Sequence, residues 1–218
     1  MVKSARKHKV KHDILGRKKL KCIGSCYQAY GEEIAIFLES DPERNGILNE
    51  AFFYLTNEGT PTSKFRIHVY GIDTSSKLDK QFNIPLPGKE LTDTDIVANG
   101  LIGNDWVKVD LSSKKIKLGR GVFLSMEWVL DFGNSEEPVY QKDFQKYYVA
   151  GSEEIMQRHL INGQVLGLTW GYGIQGLMFH KNHDEWYPVS LITPNRHLLY
   201  TSMHGINPMI YATYSYSK

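Results

Sequence analysis

Two histidines and two acids stand close together in the segment HKNHDE, which runs from His180 to Glu185. Imidazole and carboxylate groups bind metals and transfer protons, so this is the densest cluster of candidate metal ligands in the chain. Ligands on one face of a strand need a spacing of two, whereas His180 and His183 are three apart. Because no third ligand and no HxH motif is found, the pattern favours a solvated hairpin tip, and we predict no metal site and no cofactor.

Aromatic residues flank two turns in the same region and are the best candidates for ligand contacts. Such rings can stack on the apolar face of a sugar, and they can equally pack in the core and rim of a β-sheet. The sequence leaves both interpretations open. The candidate ligand-binding set consists of Trp170, Tyr172, His183, Trp186 and Tyr187.

Other chemistries lack the spacing they need. The acids Asp131, Glu136 and Glu137 have no regular calcium-ligand spacing, and the loop GYGIQG at 171–176 has neither a lysine nor a strand-to-helix context for a phosphate. No GxSxG elbow and no Cys–His arrangement suggests a nucleophile. We therefore predict no catalytic residue and a chain that is not an enzyme.

Charge is unevenly distributed along the chain. Residues 1–21 hold nine Lys or Arg against one acid, Asp13, which leaves 17 basic and 23 acidic residues in the rest. A basic tract can bind nucleic acid or an anionic surface, but charge runs are more often solvated. Because no aromatic residue interleaves the basic ones before Tyr27, single-stranded nucleic acid is disfavoured as a partner. We predict a poorly ordered basic arm or connector over residues 1–31.

The two cysteines and the hydropathy pattern say little about location. Cys22 and Cys26 lie four apart without further Cys or nearby His, so a structural zinc is disfavoured. No stretch approaches the roughly 20 apolar residues that span a bilayer, so no transmembrane segment is predicted. A secretory signal needs an apolar region before its cleavage site, and none precedes Cys26. We therefore expect either a cytoplasmic chain or a true start upstream of Met1.

Alternating strands must position these groups. The clearest pair lies between Asn104 and Asp131, with a break at the turn from Gly119 to Gly121. The residues of one face in each strand are predicted core: Val107, Val109, Leu111, Leu124, Met126 and Trp128.

Further strands are expected at 33–40, 46–57, 65–73, 96–97, 164–170, 176–180, 185–190, 197–203 and 209–216. In the strand at 46–57, alternation groups Ile47 with Phe53 on one face and Leu48 with Phe52 on the other, while His68 falls on an outer face. Residues 74–95 read as a surface loop, and the cap and charge order of 152–163 indicates one short helix. Together these elements predict an all-β antiparallel β-sandwich of jelly-roll type, with one domain over 32–218.

The order of six segments carries a family resemblance. The chain contains, in this order, EIAIFLES, FRIHVYGID, a Pro-rich loop with KELTDTDIV, DWVKVDLSSKKIKL, GVFLSMEWV and GLMFHKNHDEWYPV, a pattern that resembles a β-sandwich module of Bacteroidetes proteins. In those proteins the module follows a carboxypeptidase-regulatory-like domain. The resemblance implies an extracytoplasmic, cell-envelope, non-catalytic module.

The expected function is therefore structural or binding, with a protein or glycan partner. The alternative is a glycan-processing enzyme built on the same jelly-roll scaffold, which would need converging carboxylates or histidines in a cleft. A third hypothesis is an arm that binds nucleic acid or an anionic surface.

Overall fold

Two antiparallel β-sheets pack against each other in the computed structural model, and a two-stranded hairpin accompanies them. The predicted all-β sandwich is thereby confirmed. The structure describes residues 9–19, 21–22, 24–26, 32–59, 64–74, 85–92, 96–99, 104–129, 140–148, 155–161, 164–170, 178–182, 185–188 and 206–217.

Sixteen strands and two single 3₁₀ turns make up the described secondary structure. The turns are Pro42–Arg44 and Ser112–Lys114. The strands are β1 Val10–Leu15, β2 Gly24–Cys26, β3 Glu33–Glu39, β4 Ile47–Gly59, β5 Lys64–Asp73, β6 Leu86–Glu90, β7 Ile96–Asn99, β8 Asp105–Asp110, β9 Gly121–Trp128, β10 Tyr140–Tyr148, β11 Ile155–Ile161, β12 Gln164–Trp170, β13 Met178–Asn182, β14 Glu185–Pro188, β15 Ile206–Pro208 and β16 Ile210–Ser217.

The strands are interleaved between the sheets rather than sorted by sequence. Sheet I has the order β1-β16-β4-β12-β15, with β8 paired to β4 and β2 paired to β12. Sheet II has the order β14-β13-β3-β9-β5-β6, with β7 paired to β5, while β10 and β11 pair only with each other among the described strands. Strands distant in the chain are therefore neighbours in both sheets.

The main hydrophobic core lies between the sheets. Phe53 of sheet I meets Phe65 of sheet II edge to face, with ring centroids 5.8 Å apart, and both are fully buried. Leu124 and Met126 of the central strand β9 are also fully buried there, as the alternation of the sequence predicts. Of the predicted core residues, only Val107 is partly exposed, at the outer strand β8.

A β-bulge corrects the predicted faces of β4. Thr213 of β16 pairs with Glu50, but Tyr214 pairs with Leu48, so Asn49 is an extra residue in β4. The extra residue shifts the alternation, which buries Leu48 in the core and leaves Ile47 exposed. The predicted grouping of Ile47 with Phe53 was wrong, because strict period 2 does not survive a bulge.

Glycine is required where β9 begins. Gly121 has a φ of 146°, and a Cβ placed on it would lie 2.5 Å from the carbonyl oxygen of Leu38 in β3. No side chain fits that approach, so the turn before β9 depends on this residue. Gly121 in turn sets β9 into register with β3.

Three predicted irregular or helical segments contain strands. Part of the arm predicted as poorly ordered forms β1, which pairs with β16 and buries Leu15 in the core, while Asp13 forms an ion pair with Arg44. Leu86–Glu90 of the predicted loop is β6, and Pro87 is tolerated there on an outer strand that pairs only with β5 among the described strands.

The segment predicted as a helix contains β11, which pairs with β10 in an antiparallel hairpin. Capping and charge order were outweighed by pairing with the preceding strand β10. The strand predicted at 197–203 lies outside the described residues. No helix in the described part of the chain is long and apolar enough to cross a membrane.

Replacement of Phe53 by alanine should destabilise the fold by about 3 to 5 kcal/mol, because it opens a cavity in a closed core. Phe52→Ala is the matched control, since Phe52 is only partly buried and faces away from that core. Its loss should be clearly smaller when both variants are unfolded in urea. Equal losses would contradict the assignment of the two faces.

Candidate functional site

The outer face of sheet II, turned away from the main core, gathers ionisable side chains from five strands. Glu33 of β3 lies directly across from Glu127 of β9, and Glu127 lies across from Arg66 of β5. Period-2 alternation places the next outward residue of β5, His68, opposite Ser125 of β9. Glu90 of β6 and Lys181 of β13 complete the group from either side.

His68 lies at the centre of this charged network. Its Nδ1 is 2.9 Å from Oε1 of Glu90, and its Nε2 is 2.9 Å from Oε2 of Glu127. Burial by itself lowers the pKa of His68, but the hydrogen bond to Glu127 and the charges of Glu33 and Glu90 outweigh it and raise the pKa to about 9. The ring is therefore an imidazolium that donates from both nitrogens.

Glu33 is the most deeply buried acid of the network. The hydroxyls of Tyr70 and Ser125 donate to its two oxygens, with the Tyr70 bond at 3.2 Å, and Lys181 donates to Oε2 at 3.3 Å. Burial and the nearby Glu33 carboxylate raise the pKa of Tyr70, so the phenol keeps its proton. Three donors thus satisfy the oxygens of this buried carboxyl group.

Glu127 and Glu90 are the other two carboxylates of the network, and both are held ionised. Hydrogen bonds from His68 and Arg66 outweigh burial and lower the pKa of Glu127. Burial raises the pKa of Glu90, but bonds from Thr92 and His68 exceed that effect and lower it overall. A general acid needs a raised carboxyl pKa and a general base needs an unoccupied nitrogen or oxygen lone pair, so the network fits a structural role better than proton transfer.

Apolar residues continue this face beyond the charges. Phe123 and Phe179 are fully buried, with ring centroids 5.3 Å apart, and they form a second hydrophobic cluster with Phe37 and Tyr70. Sheet II is therefore buried on both faces over its central strands. A charged network next to a closed apolar cluster is a packed interior, not an open cleft.

Trp186 is the predicted ligand residue whose side chain the structure describes. It packs edge-on against Tyr70 at 5.3 Å, and Lys181 Nζ lies 5.5 Å from its ring centroid. Trp186 is partly exposed at the rim of the second cluster, so its position serves packing and still presents part of the ring to solvent.

Two of the other predicted ligand residues have a described backbone. Tyr187 follows Trp186 in β14 and pairs with His180, whereas Trp170 pairs with Ile206 in sheet I. Tyr172 and His183 lie outside the described residues. The same is true of the phosphate-loop candidate at 171–176 and of the calcium candidates Asp131, Glu136 and Glu137.

The outer face of sheet I carries an aromatic array that the sequence analysis did not identify. Tyr54 of β4 meets Trp106 of β8 at 5.4 Å, and Trp106 meets Tyr211 of β16 at 4.7 Å. Tyr211 also stacks on Phe52 at 4.3 Å with an interplanar angle of 4°. Phe52, Tyr54 and Trp106 are partly exposed, while Tyr211 is buried beneath them.

A polar band borders this aromatic array. Lys108 lies directly across from Phe52, and its Nζ is 3.2 Å from Oε1 of Glu50. The hydroxyl of Thr213 donates to the other oxygen of Glu50 at 3.1 Å. Asp110 lies across from Glu50 on the same face. Both acidic and basic side chains that can form hydrogen bonds are thus adjacent to the exposed ring surface.

Within the described residues, no group of three or more His, Cys, Asp or Glu could hold a metal ion. Cys22 is partly exposed. Comparison with protein-family models, curated proteins and solved structures found no match to this chain. The Bacteroidetes resemblance stays a prediction.

The stability of the protein should be greatest between about pH 4.5 and 6.5. The raised pKa of His68 contributes stability that is complete below 6.5 and is lost as the pH rises towards about 9. The lowered pKa values of Glu90 and Glu127 contribute stability above 4.5 that is lost as the pH falls. Urea unfolding measured below pH 4.5, between pH 4.5 and 6.5, and from pH 6.5 to about 9 should show both declines.

His68→Gln isolates the alkaline decline, because glutamine can donate and accept hydrogen bonds but does not titrate. The wild type should lose on the order of 2 kcal/mol between pH 6.5 and 9 after allowance for solvent screening, and the variant should be nearly flat there. Parallel loss in both proteins would show that His68 is not the titrating group.

Proposed function

We propose that this chain is a non-catalytic β-sandwich binding module whose ligand is a glycan. The observation that carries the proposal is the array of Phe52, Tyr54 and Trp106, three partly exposed rings on two neighbouring strands that rest on the buried ring of Tyr211. Contiguous exposed aromatic surface on a rigid sheet is a binding feature rather than a folding requirement.

The dimensions of the array suit pyranose rings. Neighbouring ring centroids are 4.3 to 5.4 Å apart, so two or three rings cover an area comparable to one or two sugar units. The C–H face of a sugar can pack on the rings, while its hydroxyls reach Glu50, Lys108 and Asp110 of the polar band. A concentration of apolar contact beside a few polar groups is what orients a carbohydrate.

The position of the array on strands supports binding over a purely structural role. β4 is paired on both sides, with β8 on one side and β16 on the other, so its outward side chains are held at fixed spacing. Preformed rings lose little conformational entropy when a ligand stacks on them. A structural role alone does not require three large rings to be half-exposed.

The alternative, a glycan-processing enzyme on the same scaffold, has its best candidate groups in the charged network. There Glu90 and Glu127 have lowered pKa values and both nitrogens of His68 are occupied by carboxylates. Hydrolysis of a glycosidic bond needs a carboxyl group that is protonated near neutral pH. This observation favours the binding module over the enzyme.

The location of the module at the cell envelope is a further part of the proposal, supported by the sequence motifs that resemble Bacteroidetes envelope proteins. A glycan ligand suits such a location, because envelope proteins meet cell-wall and extracellular polysaccharides. A protein partner is the other occupant that an exposed aromatic face fits.

Trp106→Ala should abolish glycan binding, because it removes the ring that contacts both Tyr54 and Tyr211. The measurement is a glycan array followed by isothermal titration calorimetry on the best ligand, where we expect an affinity loss of roughly tenfold or more. Unchanged near-ultraviolet circular dichroism outside the tryptophan band would show that the fold is kept.

Trp186→Ala is the matched control, since Trp186 is another partly exposed tryptophan with an edge-on aromatic neighbour on the opposite sheet. Its affinity should stay near that of the wild type. If Trp186→Ala abolishes binding and Trp106→Ala does not, the site lies at the β13–β14 hairpin as the sequence predicts. Absence of binding to every glycan would overturn the proposal.

A further inference from the structure

We infer that the aromatic face of sheet I recognises an acidic glycan, one that carries carboxylate or sulfate groups. The inference rests on the proposed function and specifies its ligand class. It comes from the position of the basic segment Arg17–Lys21, whose charge the sequence analysis could not place relative to any binding surface.

The two ends of this segment are anchored beside the aromatic array. A Cβ built on Gly16 would lie 3.1 Å from Cδ2 of the core residue Leu38 and 3.4 Å from Cβ of Tyr211. At the other end of the segment, Cys22 lies beside Gly167, since a Cβ built on Gly167 would lie 3.3 Å from Sγ of Cys22 and 2.7 Å from Cδ1 of Tyr54. Gly16 is therefore next to Tyr211 of the array, and Cys22 is next to the Tyr54 end.

The short connection between these anchors is strongly basic. Arg17, Lys18, Lys19 and Lys21 are all exposed, and no acid interrupts them. Lys18, Lys19 and Lys21 take part in none of the ion pairs between described residues. These charges are available to a ligand that rests on the adjacent rings.

The segment Arg17–Lys21, which we call the tether, is held in place where it leaves β1. β1 pairs with β16 along its whole length, and Leu15 is buried in the main core directly before Gly16. Asp13 of β1 is bound to Arg44 at 2.7 Å. The lysines are consequently presented next to the array rather than carried on a freely moving tail, and this reduces the entropy lost on binding.

The aromatic array has positive charge on the side of the tether and charges of both signs on the side of the polar band. This arrangement discriminates between classes of polyanion. The polar band opposite the tether contains the carboxylates of Glu50 and Asp110. A polynucleotide carries a phosphate on every unit and would meet these carboxylates with repulsion. A glycan can place its acidic groups on the lysines and its hydroxyls, as donors, on the carboxylates.

The ring geometry also favours a sugar over bases. Tyr211 is 3% exposed and is covered by its stack with Phe52, so it has no ring face left for a base. Trp106 stands at 71° and 74° to its two neighbours, which breaks the series of parallel faces that successive bases need. A puckered sugar ring packs on such a mixed surface more readily than a flat base.

The experiment compares acidic polysaccharides with their carboxyl-reduced or desulfated counterparts, which keep the same backbone without the charge. Polygalacturonate, alginate, hyaluronan and heparin fragments serve as probes, and a dT20 oligonucleotide is the polynucleotide probe. Titration of the full chain should show at least tenfold tighter binding to one acidic glycan than to its neutral counterpart, with affinity falling as salt is raised.

The test variant is Lys18→Glu together with Lys19→Glu, which should lower acidic-glycan affinity roughly tenfold or more and leave neutral-glycan binding unchanged. The matched control reverses two exposed charges at the far end of sheet I, Lys9→Glu with Lys117→Glu, and should have little effect.

Each other outcome separates the inference from the proposed function. Binding of neutral glycans that depends on Trp106 but ignores the tether charges would overturn the acidic ligand and leave the glycan-binding module standing. Tighter binding of dT20 than of any glycan would replace the glycan by a polynucleotide. Absence of binding to all glycan probes, acidic and neutral, would remove both the function and this inference.

Discussion

The burial of β9 on both of its faces is the constraint on which the structure depends. This strand pairs with β3 and β5 and sits at the middle of sheet II. Its inner residues Leu124 and Met126 complete the core against sheet I, while its outer residues Phe123 and Ser125 are equally buried. A strand closed on both sides cannot leave a polar group unpaired, so each charge near it needs a partner.

That constraint explains the charged network. Glu33 and Glu127 face each other across β3 and β9, an arrangement that would be repulsive without compensating cations. His68, Arg66 and Lys181 supply three positive charges, which match the three carboxylates when Glu90 is included. The network is thus electrically balanced, and breaking one member would leave buried charge behind. Because its members come from five strands, the network favours this one register of sheet II.

Period-2 alternation predicted the sheets well where both neighbours of a strand are regular, as for Leu124 and Met126. It failed where the details of pairing with another strand decide the outcome. The bulge at Asn49 changed the face of Leu48, and β11 formed where local signals indicated a helix. The aromatic array was missed for the same reason: Phe52, Tyr54, Trp106 and Tyr211 are far apart in the chain, and only strand pairing makes them neighbours. The signal available in the sequence was the alternating pair of Phe52 and Tyr54.

The two outer faces of the sandwich therefore have opposite properties, and the contrast supports the proposed ligand-binding face on sheet I. On sheet II, Phe179 and Glu33 are buried and every charge of the network is matched, so a ligand would have to displace contacts that already satisfy one another. On sheet I, Trp106 keeps exposed ring surface beside lysines that the described structure does not neutralise. Binding there adds contacts without breaking any. A face that offers both apolar contact and uncompensated charge is the one on which we propose that the ligand binds, and these two properties are the basis for proposing a partner that is both ring-shaped and acidic.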